Sequence, residues 1–111
     1  MKAAHLIAVV TAAVLVPATA CAADAEVGAA LAKASRCDSC HDAVRVLIGP
    51  PYQAIALRYA NDRQVMETVL ARKILIGGGG NWGVVPMVPN EHVKPDDARS
   101  LARWVLDQRP K

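Results

Sequence analysis

The stretch that decides the fold is Cys37-Asp38-Ser39-Cys40-His41, in a chain of 111 residues. Its C-x-x-C-H spacing is the attachment signature of a c-type haem. Two thiols at this spacing can each form a thioether with a vinyl group of the porphyrin, and the histidine that follows can ligate the iron. The motif therefore predicts one covalently bound haem, with His41 as an axial ligand.

Other functions of a C-x-x-C pair fit this chain less well. A thioredoxin-like dithiol belongs near a βαβ pattern, and no alternating strand pattern surrounds the motif. A zinc site needs a second Cys or His pair, but the only other cysteine is Cys21 and the other histidines are His5 and His92. A structural disulfide beside a coincidental histidine is the remaining alternative.

The N-terminus has the pattern of a secretory signal peptide. Lys2 precedes an apolar run from Leu6 to Val16, and Pro17 ends that run. The run is too short and wrongly flanked for a membrane span. The pattern predicts export to the periplasm and no transmembrane segment.

Two cleavage points satisfy the small-x-small rule for signal peptides. We favour cleavage after Ala22, which removes residues 1–22 and leaves one domain at 23–111. Cleavage after Ala20 would instead leave Cys21 as the first residue, where it could carry a lipid anchor. A domain of this size is small for a self-sufficient core. Because the chain has no Phe, a buried haem would supply much of the apolar bulk.

The domain is predicted to be all-α. Helical spacing of apolar residues predicts helices over about 24–35, 52–59, 62–75 and from Pro95 onward, separated by Gly- and Pro-rich breaks. The predicted buried stripe of the first helix is Val27, Ala30, Leu31 and Ala34. The first and last helices both carry Ala-rich stripes, which predicts that they cross closely. The formal net charge is only +3 and no basic run occurs, so nucleic acid is not an expected partner.

The sixth position of the iron has three main candidates. Met87 lies between Pro86 and Pro89, in a segment stiff enough to present its thioether with little entropy left to lose. Met66 lies on an apolar helix stripe, where core packing is the simpler interpretation, and His92 has polar neighbours. We predict Met87. A His/Met pair raises the reduction potential, and a filled sixth position favours electron transfer over catalysis.

Taken together, these motifs resemble those of the small class I bacterial cytochromes c that carry electrons to periplasmic nitrite reductase and terminal oxidases. The resemblance covers Ala25–Gln108, and its most specific parts are Cys37-x-x-Cys40-His41, Gly49-Pro50, Asn81-Trp82-Gly83, Val85–Asn90 and Leu101–Leu106. It implies the class I cytochrome c fold, with four to five short helices wrapped around one haem. It also implies a monomer whose redox partner proteins dock at the exposed haem edge.

The resemblance implies roles for four further residues. Pro50 would accept a hydrogen bond from the haem-ligating histidine, and Asn90 would donate its amide to the methionine sulfur. Trp82 and Lys73 would bind a haem propionate. The alternatives are plain core packing for Trp82 and a solvated charge on a helix face for Lys73.

The chain departs from the family pattern at four valines. Val44 and Val46 stand where the family often has Asp and Lys, and Val84 and Val88 replace prolines of the methionine loop. Together with Leu47 and Ile48 beside the haem motif, these valines predict an apolar ring around the exposed haem edge, the kind of patch that marks an interaction site. The alternative is that the valines turn inward against the porphyrin.

The function that these features predict is that of a one-electron carrier, not an enzyme. Two alternatives share the haem. One is a haem enzyme or gas sensor whose Met87 detaches to admit a small ligand, with His92 as the only candidate for a distal acid or base. The other is a haem subunit fixed permanently in a larger oxidoreductase.

Overall fold

The structure, a computed structural model, describes residues 8–15 and 19–111. Within these ranges four α-helices occur: α1 Thr19–Ala34, α2 Tyr52–Arg58, α3 Arg63–Ile76 and α4 Pro95–Leu106, with a short 3-10 turn at Cys37–Ser39. The described residues form no strand and only two isolated bridges, so the all-α prediction is confirmed.

The predicted signal peptide is only partly described. Lys2, Leu6, Val16 and Pro17 lie outside the described residues, whereas residues 8–15 have no regular secondary structure. Across 8–15 and 19–111, no helix combines the length and the apolar character needed to cross a bilayer.

Helix α1 differs from its prediction at its start and in its buried face. It begins at Thr19 rather than near residue 24, because the segment before that point is rich in Ala, the strongest helix former. Only part of the predicted stripe faces the core: Leu31 packs against it, whereas Val27 is 55% exposed. The buried residues of α1 are Gly28 and Ala32. The spacing of apolar residues predicts which large side chains face the core, so it does not identify a helix contact that is centred on a glycine.

The close crossing of the first and last helices is confirmed. A β-carbon at Gly28 would lie 2.3 Å from Cγ of Trp104, so the indole of α4 occupies the space that any larger residue would need. The smallest residue of α1 thus marks where the two helices touch, and the crossing brings α4 close to the haem motif that follows α1.

The core forms where α3 and α4 pack together with α1. Its buried members are Ala32, Ala71, Ile74, Val93, Ala98, Leu101 and Ala102. Cys37 and Met87 are partly buried and pack against this cluster, so the core extends to both ends of the predicted haem site. On α4, Leu106 is fully buried, while the neighbouring Val105 is only partly buried.

Candidate haem-binding site

A cavity of about 550 Å³ lies between the haem motif, α3 and the segment around Met87. Its walls include every residue predicted for the site: Cys37, Cys40, His41, Pro50, Lys73, Trp82, Met87 and Asn90. A smaller cavity of about 60 Å³ shares Cys37, His41 and Met87 with it and reaches the core at Leu101. The combined space falls in the range of about 300–1,000 Å³ typical of sites for organic ligands and cofactors.

The two cysteines of the motif lie on a tight turn. The backbone N–H groups of Cys40 and His41 donate to the carbonyl of Cys37, at 3.2 and 2.9 Å. The two cysteines are not joined in a disulfide, and both are partly buried. Burial raises the pKa of the Cys37 thiol, and the carboxylate of Asp38 adds to this effect. The described residues contain no cluster of His, Cys, Asp or Glu able to hold a bare metal ion.

Sequence reasoning missed two residues that shape this turn. Arg36 has φ 60°, in the left-handed region that non-glycine residues adopt at a cost. Its carbonyl accepts hydrogen bonds from the hydroxyl of Ser39 at 2.7 Å and from the backbone N–H of Ser39 at 3.2 Å. The strained residue is therefore held by the serine inside the C-x-x-C spacing, a signal visible only once the turn is folded.

His41 has a fixed ring orientation. Its Nδ1 lies 2.7 Å from the carbonyl oxygen of Pro50. A carbonyl can only accept, so Nδ1 carries the proton and donates, and Nε2 of the neutral ring keeps its lone pair. A β-carbon at Gly49 would lie 2.6 Å from Cε1 of His41, so the ring packs directly on this glycine.

Tyr52 supports the other side of the imidazole. Its ring stacks on His41 with centroids 5.6 Å apart, and Trp104 meets Tyr52 edge-on at 4.9 Å. Burial raises the pKa of the Tyr52 phenol, and its hydroxyl is a buried polar atom without a hydrogen-bond partner among the described residues. This aromatic contact links the motif to α4.

The loop after the motif is organised by Asp42. Its carboxylate accepts hydrogen bonds from the backbone N–H groups of Val44 and Arg45, each at 2.9 Å. The Arg45 guanidinium donates to the same carboxylate at 3.2 Å. These hydrogen bonds hold the pKa of Asp42 at about 2. Asp42 was not singled out from the sequence. The signal is nevertheless local, because Asp side chains commonly accept hydrogen bonds from the backbone two residues further on and so form a turn.

Met87 is held through its backbone. Its N–H donates to the carbonyl of Gly78 at 2.9 Å, and its carbonyl accepts from the N–H of Gly78 at 3.0 Å. Gly77, with φ 69°, lies so close that a β-carbon there would be 2.5 Å from the Met87 carbonyl oxygen. Met66 and His92 also line the cavity, so position in the wall does not by itself select a ligand.

Asn90 fastens the methionine loop to α3. Its side-chain amide donates to the carbonyls of Ile74 at 3.0 Å and Val88 at 3.3 Å. A hydrogen bond to the sulfur of Met87 would require the amide to release one of these carbonyls. The sulfur contact that the resemblance implies therefore stays a prediction.

The two residues predicted near a propionate lie at the rim of the cavity. Trp82 is 41% exposed, so plain core packing does not describe it. Lys73 is partly buried, and its Nζ lies 3.2 Å from the position that a β-carbon of Gly78 would take. Its amine thus leans towards the cavity rather than standing free on a helix face. The volume, the apolar inner end and the thiol and imidazole groups fit a covalently attached haem.

Comparisons with known proteins lead to the same class. No family model matches the chain. It is 41% identical over 76 residues to cytochrome c-551 of Allochromatium vinosum, covering 68% of this chain and 80% of that protein. It is 43% identical over 82 residues to cytochrome c-552 of Nitrosomonas europaea, covering 74% and 79%. The crystal structure of that wild-type cytochrome c552 matches with a TM-score of 0.70 and 41% identity, over 73% of this chain and 99% of the other.

These matches define the class: the chain belongs to the small class I cytochromes c. It is accordingly a c-type cytochrome that carries one covalently bound haem and acts with redox partners. As in its relatives, the chemistry is electron carriage rather than enzymatic turnover.

Proposed function

We propose that this cytochrome carries single electrons between periplasmic proteins, with its haem attached through Cys37 and Cys40 and its iron ligated by His41 and Met87. The observation that carries the proposal is the 2.7 Å contact between Nδ1 of His41 and the carbonyl of Pro50. It leaves the lone pair of Nε2 available in a ring that lines the same cavity as Met87.

When bound through Cys37 and Cys40, the haem would supply a one-electron Fe(III)/Fe(II) couple. The residues of the chain set how readily that couple accepts an electron. Pro50 fixes the orientation of the imidazole and raises its basicity as a ligand. The thioether of Met87 favours the reduced iron and so raises the potential.

Met87 is favoured over Met66 because of its backbone. The pair of hydrogen bonds to Gly78 and the close packing on Gly77 hold the methionine segment in one conformation. A ligand presented by a fixed segment loses little conformational freedom on binding. Met66 lies within α3 and is partly buried, which suits an apolar wall of the cavity.

Two measurements on the exported protein test this assignment. Haem attached by two thioethers should remain with the denatured chain through acid–acetone extraction, and release into the organic phase would contradict attachment at Cys37 and Cys40. The oxidised protein should show the far-red absorption band of Fe(III) bound to methionine sulfur. A spectrum without that band would contradict ligation by Met87.

Partner proteins are proposed to dock at an apolar patch made up of two segments, Val44, Val46, Leu47 and Ile48 after the haem motif and Val84 and Val88 beside Met87. Val84 is 98% exposed, and Val44 and Val46 are 64% and 74% exposed. Val44, Val46, Leu47 and Val84 are not among the residues that line the cavity, which favours the outward orientation for them. Ile48 and Val88 are part of the cavity wall. A small apolar patch suits the small interfaces of transient redox encounters.

Export and processing complete the proposal. Removal of residues 1–22 would leave the domain 23–111 as a periplasmic monomer. The intact mass of the exported protein should correspond to Ala23 as the first residue plus one haem. A mass that includes a lipidated Cys21 would support cleavage after Ala20 instead. Size-exclusion chromatography tests whether the exported protein is a monomer.

A further inference from the structure

Arg58, the last residue of α2, lies against the indole of Trp82. Its Cζ is 4.6 Å from the centroid of the Trp82 ring, and its Nη1 donates to the carbonyl of Asn81 at 2.7 Å. The ring of Tyr59 meets Trp82 edge-on at 6.3 Å. One guanidinium thus contacts both the ring and the backbone of the segment that carries Trp82.

We propose that Arg58 is a positioning residue, which holds Trp82 at the rim of the haem cavity and thereby tunes the reduction potential. This inference rests on the proposed contact of Trp82 with a haem propionate. An indole N–H that donates to a propionate offsets part of its negative charge, and less negative charge near the iron favours Fe(II). Loosening Trp82 should therefore lower the potential.

Trp82 needs such support because its own segment supplies little. Glycines with positive φ occur before and after it, at Gly80 and Gly83, and a β-carbon at either position would meet no atom within 4 Å. Glycines in open space leave the backbone free to move. The indole is also too exposed for core packing to fix it.

The guanidinium of Arg58 is better suited to holding Trp82 than another positively charged group would be. None of the salt bridges among the described residues includes Arg58. Its guanidinium instead donates to the carbonyl of Asn81 and lies over the rings of Trp82 and Tyr59. A planar guanidinium can stack on an aromatic face while its edge donates to a carbonyl, which an ammonium cannot reproduce. Arg58 does not line the cavity, whereas Trp82 does. It therefore acts on the haem through Trp82.

The test compares the holoprotein with Arg58→Lys, which keeps the positive charge. Hydrogen exchange of the indole N–H groups is followed by NMR, with Trp82→Phe identifying the Trp82 signal. Loss of the stacked, hydrogen-bonded contact should make exchange at Trp82 roughly tenfold faster, while Trp104 stays unchanged. The reduction potential should fall in Arg58→Lys. The matched control is Arg99→Lys, the same substitution at an exposed position of α4 outside the cavity wall.

A double variant separates this inference from the proposed function. Trp82→Phe should lower the potential, and adding Arg58→Lys to it should cause no further change. If Trp82→Phe alone leaves the potential unchanged, the proposed propionate contact of Trp82 is wrong, and the inference fails with it. If Trp82→Phe lowers the potential but Arg58→Lys changes neither that potential nor the exchange of Trp82, only the role of Arg58 is wrong. If Arg58→Lys makes indole exchange at Trp82 faster but leaves the reduction potential unchanged, the proposed role of Arg58 in tuning the potential is also wrong.

Discussion

The carbonyl oxygen of Pro50 accepts a hydrogen bond of 2.7 Å from Nδ1 of His41. Gly49, the residue before this proline, packs against the same imidazole. The Gly-Pro pair therefore does two things for one ring: the proline carbonyl sets its tautomer and the glycine leaves room for it. Both effects can be separated by substitution.

Gly49→Ala should displace His41, because the added methyl group would overlap the imidazole. Overpacking of this kind typically costs about 1–3 kcal/mol, so chemical denaturation should show lower stability and the haem spectrum should change. Pro50→Ala is the control, since alanine retains the backbone carbonyl that accepts the hydrogen bond, and it should keep the native spectrum. A native spectrum in Gly49→Ala would contradict the packing described for His41.

Met87→Ala should abolish the far-red band of the oxidised protein, lower the potential and open the iron to carbon monoxide or cyanide. Met66→Ala is the matched control, because it removes the same side chain from another wall of the cavity. It should keep the band and lose stability instead, by up to the ~2–5 kcal/mol typical of a buried methionine. Loss of the band in Met66→Ala with its retention in Met87→Ala would reverse the ligand assignment.

Gly28→Ala should destabilise the protein, since its β-carbon would meet the indole of Trp104. The expected cost is about 1–3 kcal/mol from overpacking, despite the gain of up to about 1 kcal/mol in helix propensity. Thermal unfolding followed by circular dichroism measures it. Ala30→Ser on the exposed part of α1 should leave Tm nearly unchanged. A higher Tm in Gly28→Ala would show that α1 and α4 do not cross as described.

The turn at Asp42 should weaken in acid. Hydrogen bonds hold the folded pKa at about 2, below the ordinary value of about 3.9, so the carboxylate stabilises the folded state above pH ~4 and that contribution is lost as the pH falls towards ~2. Asp42→Asn should therefore flatten the dependence of unfolding free energy on pH between about 2 and 4. If the unfolding free energy of Asp42→Asn falls with decreasing pH as steeply as that of the native protein, other carboxyl groups cause the loss of stability in acid.

Val44→Lys combined with Val46→Lys should slow electron transfer to a physiological partner, because two charges would interrupt the apolar docking patch. The rate of the native protein should depend only mildly on ionic strength, since its net charge is small and steering is weak. Stopped-flow kinetics over a range of salt measures both effects. A steep salt dependence of the native rate with no loss in the double variant would contradict apolar docking.

The sequence allowed the all-α fold to be predicted, because the helical spacing of apolar residues and helix breaks such as Gly77 after α3 are local. Four residues of the cavity wall, Cys37, Cys40, His41 and Met87, were predicted from the C-x-x-C-H motif and the stiff segment around the methionine. Pro50, Lys73, Trp82 and Asn90 were expected there only because of the resemblance to the family. The sequence did not predict the buried face of α1, since the contact at Gly28 depends on the indole of a helix near the other end of the chain. The contact of Arg58 was missed because the carbonyl of Asn81 lies 23 positions away and only folding brings it within reach. Asp42 was missed although its hydrogen bonds to Val44 and Arg45 are local.

The contact between Gly28 and Trp104 also bears on the order of events during biogenesis. It joins residues far apart in the chain, and such contacts form late because the long intervening loop must first close. A chain exported N-terminus first would present the thiols of Cys37 and Cys40 before α4 has left the export channel. During such an export, a late contact between Gly28 and Trp104 would leave an interval in which haem could be attached to an open chain, before the terminal helices pair around it.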